Sequence, residues 1–331
     1  MPTATSAFST SGASAPTGHT RLLGLGHFQP ERVMTNDDLA QLVDTNDEWI
    51  RQRTGITTRH LAAEEETVAD LAAAAAAKAL AASGLQPDEI GLITVATCSN
   101  RDRCPSVAAQ VAARLGIQGA VAFDLNNGCA GFCTALATAD HSVRAGAARN
   151  ALVIGAEKMS DVVDWTDRST CILLGDGAGA AVIGTGGSTP GIGPVVWGSD
   201  ASKGDAVRLM GAWQPRFSQE GQTVFRWATT EVPKIAREAC ARAGVEVSDL
   251  AGVVTHQANL RIIESIVRQL GVPEGTVVAR DVVDSGNTSA ASVPLALSKL
   301  VERGDLPPSS PVLLTAFGGG LSWAGQVVFT P

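Results

Sequence analysis

Residues 121–132 read VAFDLNNGCAGF: a short apolar segment, a polar turn, then Cys129 held between Gly128 and Gly131 where a helix opens. Phe132, Leu136 and Ala139 recur after it at helical spacing. The same order returns at 277–290 as VVARDVVDSGNTSA, again a strand, a small polar turn and a small-residue helix start. The flanks match as well. DEIGLITVAT (88–97) answers SDLAGVVTHQ (248–257), ARLGI (113–117) answers RQLGV (268–272), and ALVIGA (151–156) answers VLLTAF (312–317). The offset stays near 155–161 residues, on the order of one domain. Matched elements in one order predict a duplicated α/β fold. Each copy mixes strands and crossover helices in one sheet, and the two pack into a layered core. Residues 21–190 are expected to form the N-terminal half and 191–331 the C-terminal half.

In such sheets a ligand crevice lies beyond the carboxyl ends of the strands. The duplication puts Cys129 of the first half there, with His256 and Asn287 of the second. His256 ends its strand, and Asn287 falls opposite Cys129. Each has a plain structural reading: a small core residue, a hydrogen-bonded histidine, a cap for the helix TSAASVPLAL. Convergence of Cys, His and Asn at one crevice is also a way to build a nucleophilic thiol. Cys129 is therefore expected to be the nucleophile, with the positive end of the following helix favouring its thiolate.

Composition narrows the function classes. The chain has 331 residues, 45% hydrophobic and 18% charged, with a formal net charge of −8. That charge argues against a general nucleic-acid binder, so an acidic partner would need a local basic patch. The six cysteines include no C-x-x-C pair and the five histidines add no zinc spacing, so no metal is expected. Scattered cysteines suit a reducing cytoplasm. Residues 1–20, rich in Ser, Thr, Ala and Gly, read as a disordered tail and not as a signal peptide. No stretch has transmembrane length, so no membrane association is expected. GDGAGA (175–180) satisfies the G-x-G-x-x-A spacing of a dinucleotide fingerprint. Another short strand, AAVIG, follows where that motif requires a helix. A hairpin-like turn is expected there, and no nicotinamide cofactor.

Longer motifs carry a resemblance: TNDEWIRQRTGI (45–56), CAGF (129–132), GDGAGAAV (175–182), HQANLRI (256–262), GNTSAAS (286–292) and AFGGG (316–320). From about Arg21 to Phe329 the chain resembles the β-ketoacyl-acyl carrier protein synthase III family, the priming condensing enzymes of the thiolase superfamily. The resemblance implies a thiolase-like fold and a homodimer. It implies that Cys129 takes a primer acyl group from acyl-coenzyme A. The acyl-enzyme then undergoes decarboxylative Claisen condensation with malonyl-acyl carrier protein, in fatty acid or polyketide biosynthesis. By the same resemblance His256 Nε2 and Asn287 Nδ2 stabilise the carbanion, and the N–H groups of Cys129 and Gly319 form the oxyanion hole. Trp49 and Arg168 match the pair that sandwiches the adenine, Arg53 a phosphate contact, and Asn259 a polar residue near the catalytic histidine. Coenzyme A enters as substrate, and no separate cofactor is implied.

Arg261 and Arg268, i and i+7 on one helix opposite Ile262, Ile263, Ile266 and Leu270, are expected to dock the carrier protein. Cys104 stands where an aromatic residue commonly precedes Pro-Ser, in a loop that closes the acyl pocket of the neighbouring subunit. NNG (126–128) replaces the usual alanines. Both departures bear on the primer. An acyltransferase that passes its acyl group to a hydroxyl or amine without decarboxylation is the alternative, and a catalytically silent subunit is disfavoured by the intact Cys, His and Asn.

Overall fold

Two five-stranded sheets of identical topology form the body of the chain, whose computed structural model describes residues 18–187, 191–212 and 214–331. The first half runs β1 (Thr20–Phe28), β2 (Arg32–Thr35), α1 (Asn36–Leu39), α2 (Asp47–Thr54), β3 (Thr58–Leu61), α3 (Val68–Ser83) and β4 (Leu92–Ala96). It continues through α4 (Val107–Leu115), β5 (Val121–Leu125), α5 (Gly131–Arg144), β6 (Asn150–Lys158), α6 (Arg168–Cys171) and β7 (Asp176–Thr185). The second half holds β8 (Val196–Ser199), β9 (Val207–Met210), β10 (Arg216–Gln219), α7 (Gly221–Ala243), β11 (Gly252–Thr255) and α8 (Leu260–Leu270). It ends with β12 (Val277–Val278), α9 (Val282–Ser285), α10 (Ser292–Glu302), β13 (Pro311–Gly318) and β14 (Ser322–Phe329).

Strand order is β1-β7-β6-β4-β5 in one sheet and β8-β14-β13-β11-β12 in the other. In the first, β4 is parallel to β5 and β6, and β7 is antiparallel to β6 and β1. In the second, β11 is parallel to β12 and β13, and β14 is antiparallel to β13 and β8. The repeat read from the sequence is thus a repeat of sheet topology.

Helices α5 and α10 lie between the sheets. Phe132, Leu136, Val293 and Leu297 share one buried cluster with Val153 and Ile183 of the first sheet and Val254, Leu314 and Val328 of the second. Helices α3 and α4 cover the outer face of the first sheet, α7 and α8 that of the second, giving an α/β/α/β/α layering. Local sequence sets the outer helices. Thr67 and Asp70 form a reciprocal capping box at the start of the alanine-rich α3, and Gly84 ends it in the left-handed region. Ser106 and Asn259 cap α4 and α8.

Two expectations change. GDGAGA is not a turn: β7 begins at Asp176 and pairs on both sides, with β6 and β1. Its small residues reflect the close approach of α10, since a Cβ on Gly179 would stand 2.3 Å from Leu295 N. Of the expected tail, residues 1–17 lie outside the described residues, and β1 already starts at the buried Thr20, whose hydroxyl bonds Asp140. Among the described residues no helix is long and apolar enough to cross a membrane.

Candidate active site

The carboxyl ends of β5 and β11 and the segment after α9 open on one cavity of about 780 Å³, lined by Cys129, His256 and Asn287. Trp49, Arg53, Arg168, Arg226 and Arg261 line the same cavity. A second cavity of about 330 Å³ also reaches Cys129, lined by Cys98, Met159, Leu209, Phe217, Ser289 and Gly319 among others. The two halves of the duplication therefore meet at the sulfur.

Strand β13 ends against Cys129. A Cβ on Gly318 would stand 2.8 Å from the Cys129 Cβ and 2.9 Å from its N, so only glycine allows the strand to abut the nucleophile. Gly319 follows on the turn, which Ser322 ties down by donating its hydroxyl to Gly319 O at 2.8 Å.

His256 leaves β11 with its N–H donating to Thr315 O at 2.7 Å, and its ring stands edge-on to Phe317 with centroids 5.3 Å apart. Its Nδ1 is 2.7 Å from Ser292 Oγ, which also receives the Gln257 N–H at 3.4 Å. The Ser292 proton is left for Nδ1, and the ring keeps its own on Nε2. Burial pulls the His256 pKa down to about 3, so the imidazole is neutral. Asn287 does not cap α10, whose N-cap is Ala291. Its Oδ1 accepts the Ser289 N–H at 2.9 Å, which leaves Nδ2 as the donating end of the amide.

Cys129 lies just before the start of α5, yet the expected thiolate is not its resting form. Burial pushes the thiol up to about 11; a Ser289 hydrogen bond opposes this and the Glu157 carboxylate adds to it. Desolvation outweighs the helix end because the sulfur sits inside the layered core.

At the mouth, Arg53 Cζ and Arg168 Cζ lie 4.7 and 5.0 Å from the Trp49 ring centroid. The Trp49–Arg168 pair is thus assembled but closed. A flat ring between them needs about 7 Å, two layers of about 3.5 Å each. Arg168 Nη1 donates to Asp44 O at 2.9 Å and pairs with Asp44 at 3.8 Å; it pairs with neither Asp167 nor Asp176. Asn259 lines the cavity, but both ends of its amide are used: Oδ1 accepts the Arg261 N–H at 2.9 Å and Nδ2 donates to Arg53 O at 3.1 Å. It is a helix cap and a tether before it is a ligand contact.

This geometry has close counterparts. Models of 3-oxoacyl-[acyl-carrier-protein] synthase III match residues 123–201, and of its C-terminal part residues 240–329. A β-ketoacyl-[acyl-carrier-protein] synthase III of Streptomyces avermitilis is 62% identical over 313 residues, covering 94% of this chain and 99% of the relative. That of Kocuria rhizophila is 44% identical, covering 96% and 98%. The priming β-ketosynthase of the R1128 polyketide biosynthetic pathway superposes with a TM-score of 0.93 at 44% identity, covering 97% of this chain and 99% of that one. The 3-oxoacyl-[acyl-carrier-protein] synthase III of Aquifex aeolicus does so at 0.89 and 40%, covering 94% and 100%. The chain belongs to the β-ketoacyl-acyl carrier protein synthase III family. It is a priming condensing enzyme, an acyltransferase of thiolase-like fold.

In this synthase III, Arg261 and Arg268 are exposed on α8, opposite the buried Ile262, Ile263, Ile266 and Leu270. Arg261 Cζ lies 5.6 Å from the Phe225 ring centroid. Cys104 is exposed between β4 and α4 and lines neither cavity of its own chain. Residues the sequence reading passed over surround the site. Arg226 joins the basic mouth, Ser292 orients His256, and Ser289 and Glu157 back Cys129. Ser289 and Ser292 lie within GNTSAAS, where attention stopped at Asn287. A lone glutamate closing the apolar ALVIGAE was the available signal for Glu157.

Proposed function

We propose that Cys129 accepts a primer acyl group from acyl-coenzyme A and that the acyl-enzyme condenses with malonyl-acyl carrier protein after decarboxylation. One observation carries this reading: the Cys129 thiol, a neutral His256 and Asn287 share one cavity with a basic, aromatic mouth. Decarboxylation places negative charge on the thioester oxygen, and neutral donors fixed beforehand stabilise it without reorganising. His256 Nε2–H and Asn287 Nδ2–H are such donors. The N–H groups of Cys129 and Gly319 serve the acyl carbonyl. Trp49, Arg53, Arg168 and Asn259 hold the nucleotide arm of coenzyme A once Arg168 swings off the indole. Residues 21–190 carry the nucleophile, 191–331 the two donors, and the enzyme acts in the cytoplasm with no added cofactor.

The homodimer is supported by β5, an edge strand with Val121 61% exposed. An open apolar edge invites another strand, and a second copy of β5 is the self-complementary partner. In such a dimer Cys104 would reach the neighbour's acyl cavity. Cysteine is smaller than phenylalanine by room for roughly two to four methylenes, each worth about 0.8 kcal/mol. The wild type is expected to load butyryl and hexanoyl groups as well as acetyl. Cys104→Phe should shift preference towards acetyl, because a filled interior cannot absorb extra methylenes. Intact-protein mass spectrometry after incubation with the three acyl-coenzyme A thioesters tests both the reaction and the pocket. Identical chain-length profiles would remove Cys104 from the pocket, and absence of any acyl adduct would remove the reaction.

Carrier docking is assigned to Arg261 and Arg268. A chain of net charge −8 needs a local basic face to attract an acidic protein. Reversing both to Glu should raise KM for malonyl-acyl carrier protein about tenfold at low salt. Arg268→Glu is the cleaner probe because Arg261 also lines the cavity, and it should leave acyl loading unchanged. An unaltered KM at low salt would rule out this docking face.

A further inference from the structure

Behind the nucleophile lies a carboxylate that the condensation chemistry does not use. Glu157, at the end of β6, is fully buried, and no ion pair involves it among the described residues. Donors alone compensate its charge. Oε2 receives the Thr97 hydroxyl at 3.1 Å and the Ser99 N–H at 3.0 Å, and Oε1 receives the Cys98 Sγ–H at 3.2 Å. The last donor on Oε1 is the Ser289 hydroxyl at 2.9 Å, and Ser289 Oγ in turn accepts the Cys129 Sγ–H at 3.5 Å. Ser289 is held for this. Its φ of +48° is uncommon for a residue with a side chain, and its N–H is fixed on Asn287 Oδ1.

A serine hydroxyl has one proton and a carboxylate can only accept. While Glu157 holds that proton, Ser289 presents a lone pair to the thiol and nothing to a thiolate. We propose that Glu157 is a positioning residue which, through Ser289, keeps the resting Cys129 as a protonated thiol in one fixed orientation. The synthase then meets its acyl donor with a nucleophile that is aligned but unreactive towards passing electrophiles. This rests on Cys129 being the nucleophile. The other titratable groups facing Cys129 do not supply the effect: His256 is neutral, and burial pushes the Cys98 thiol well above its ordinary value.

The test is the rate of Cys129 alkylation by iodoacetamide, read by peptide mass mapping alongside acyl loading. In the wild type the rate should rise about tenfold per pH unit from pH 7 to 9.5, as for a thiol ionising above that range. A plateau within it overturns the proposal and needs no variant. Glu157→Gln frees the Ser289 proton for the sulfur and should speed alkylation about tenfold at pH 8, one pKa unit. Adding Ser289→Ala to that variant should remove most of the gain, a reversal that mere loosening of the site would not produce. A Glu157→Gln rate equal to wild type, or a double variant as fast as Glu157→Gln, overturns it. Acyl loading that survives complete alkylation of Cys129 overturns the nucleophile assignment and the proposal with it. Loss of loading with the other predictions unmet overturns the proposal alone.

Discussion

Cys129→Ala is expected to abolish acyl loading from coenzyme A thioesters, whereas Cys133→Ala leaves it within about twofold, the scale of a modest stability loss of about 1 kcal/mol. The two thiols are four residues apart on the same segment but in different surroundings. Cys129 lines both cavities. Cys133 is fully enclosed in the central core with Phe132 and Leu136, where burial pushes its thiol up to about 12. A thiol that neither meets solvent nor ionises near neutral pH cannot take an acyl group from coenzyme A. Tryptic mapping of the loaded enzyme should find the acyl mass on Cys129. Finding it on Cys133 would defeat the central assignment.

Asn287→Ala should spare loading and lower condensation by about two orders of magnitude or more, the usual loss for one donor to a developing oxyanion. Only the second half-reaction builds a carbanion, so the two steps make different demands on this side chain. His256 cannot compensate by charging, because burial holds its pKa down to about 3 and it remains a neutral donor throughout the working range. Loading is read by mass and condensation by carbon dioxide release. Equal losses in both would assign Asn287 a structural role through the Ser289 N–H that it fixes. Full turnover without carbon dioxide would mark an acyltransferase to a hydroxyl or amine.

The fold was legible because a duplicated pattern of apolar strands and capped helices is a local property written twice. VAFDLNNGCAGF and VVARDVVDSGNTSA correspond as strings, and β5 and β12 correspond as strands at equivalent sheet edges. Cys129, His256 and Asn287 were legible for the same reason, since each follows a strand at its crevice end. GDGAGA was misread because glycine and alanine signal turns locally, while here they admit α10 against β7, more than a hundred residues away in the chain. The resting state of Cys129 was not legible either. A helix start next to a cysteine suggests a thiolate, but burial is set by the whole layered core, and Glu157 and Ser289 come together across 132 residues. Asn259 was placed in the cavity by its motif, but only the packed arrangement of α2 and α8 shows its amide already spent on Arg53 and Arg261. Sequence determined which residues reach the crevice, because strand ends are local. Tertiary structure decided their protonation and their partners, because desolvation and hydrogen bonding depend on what the rest of the chain brings alongside.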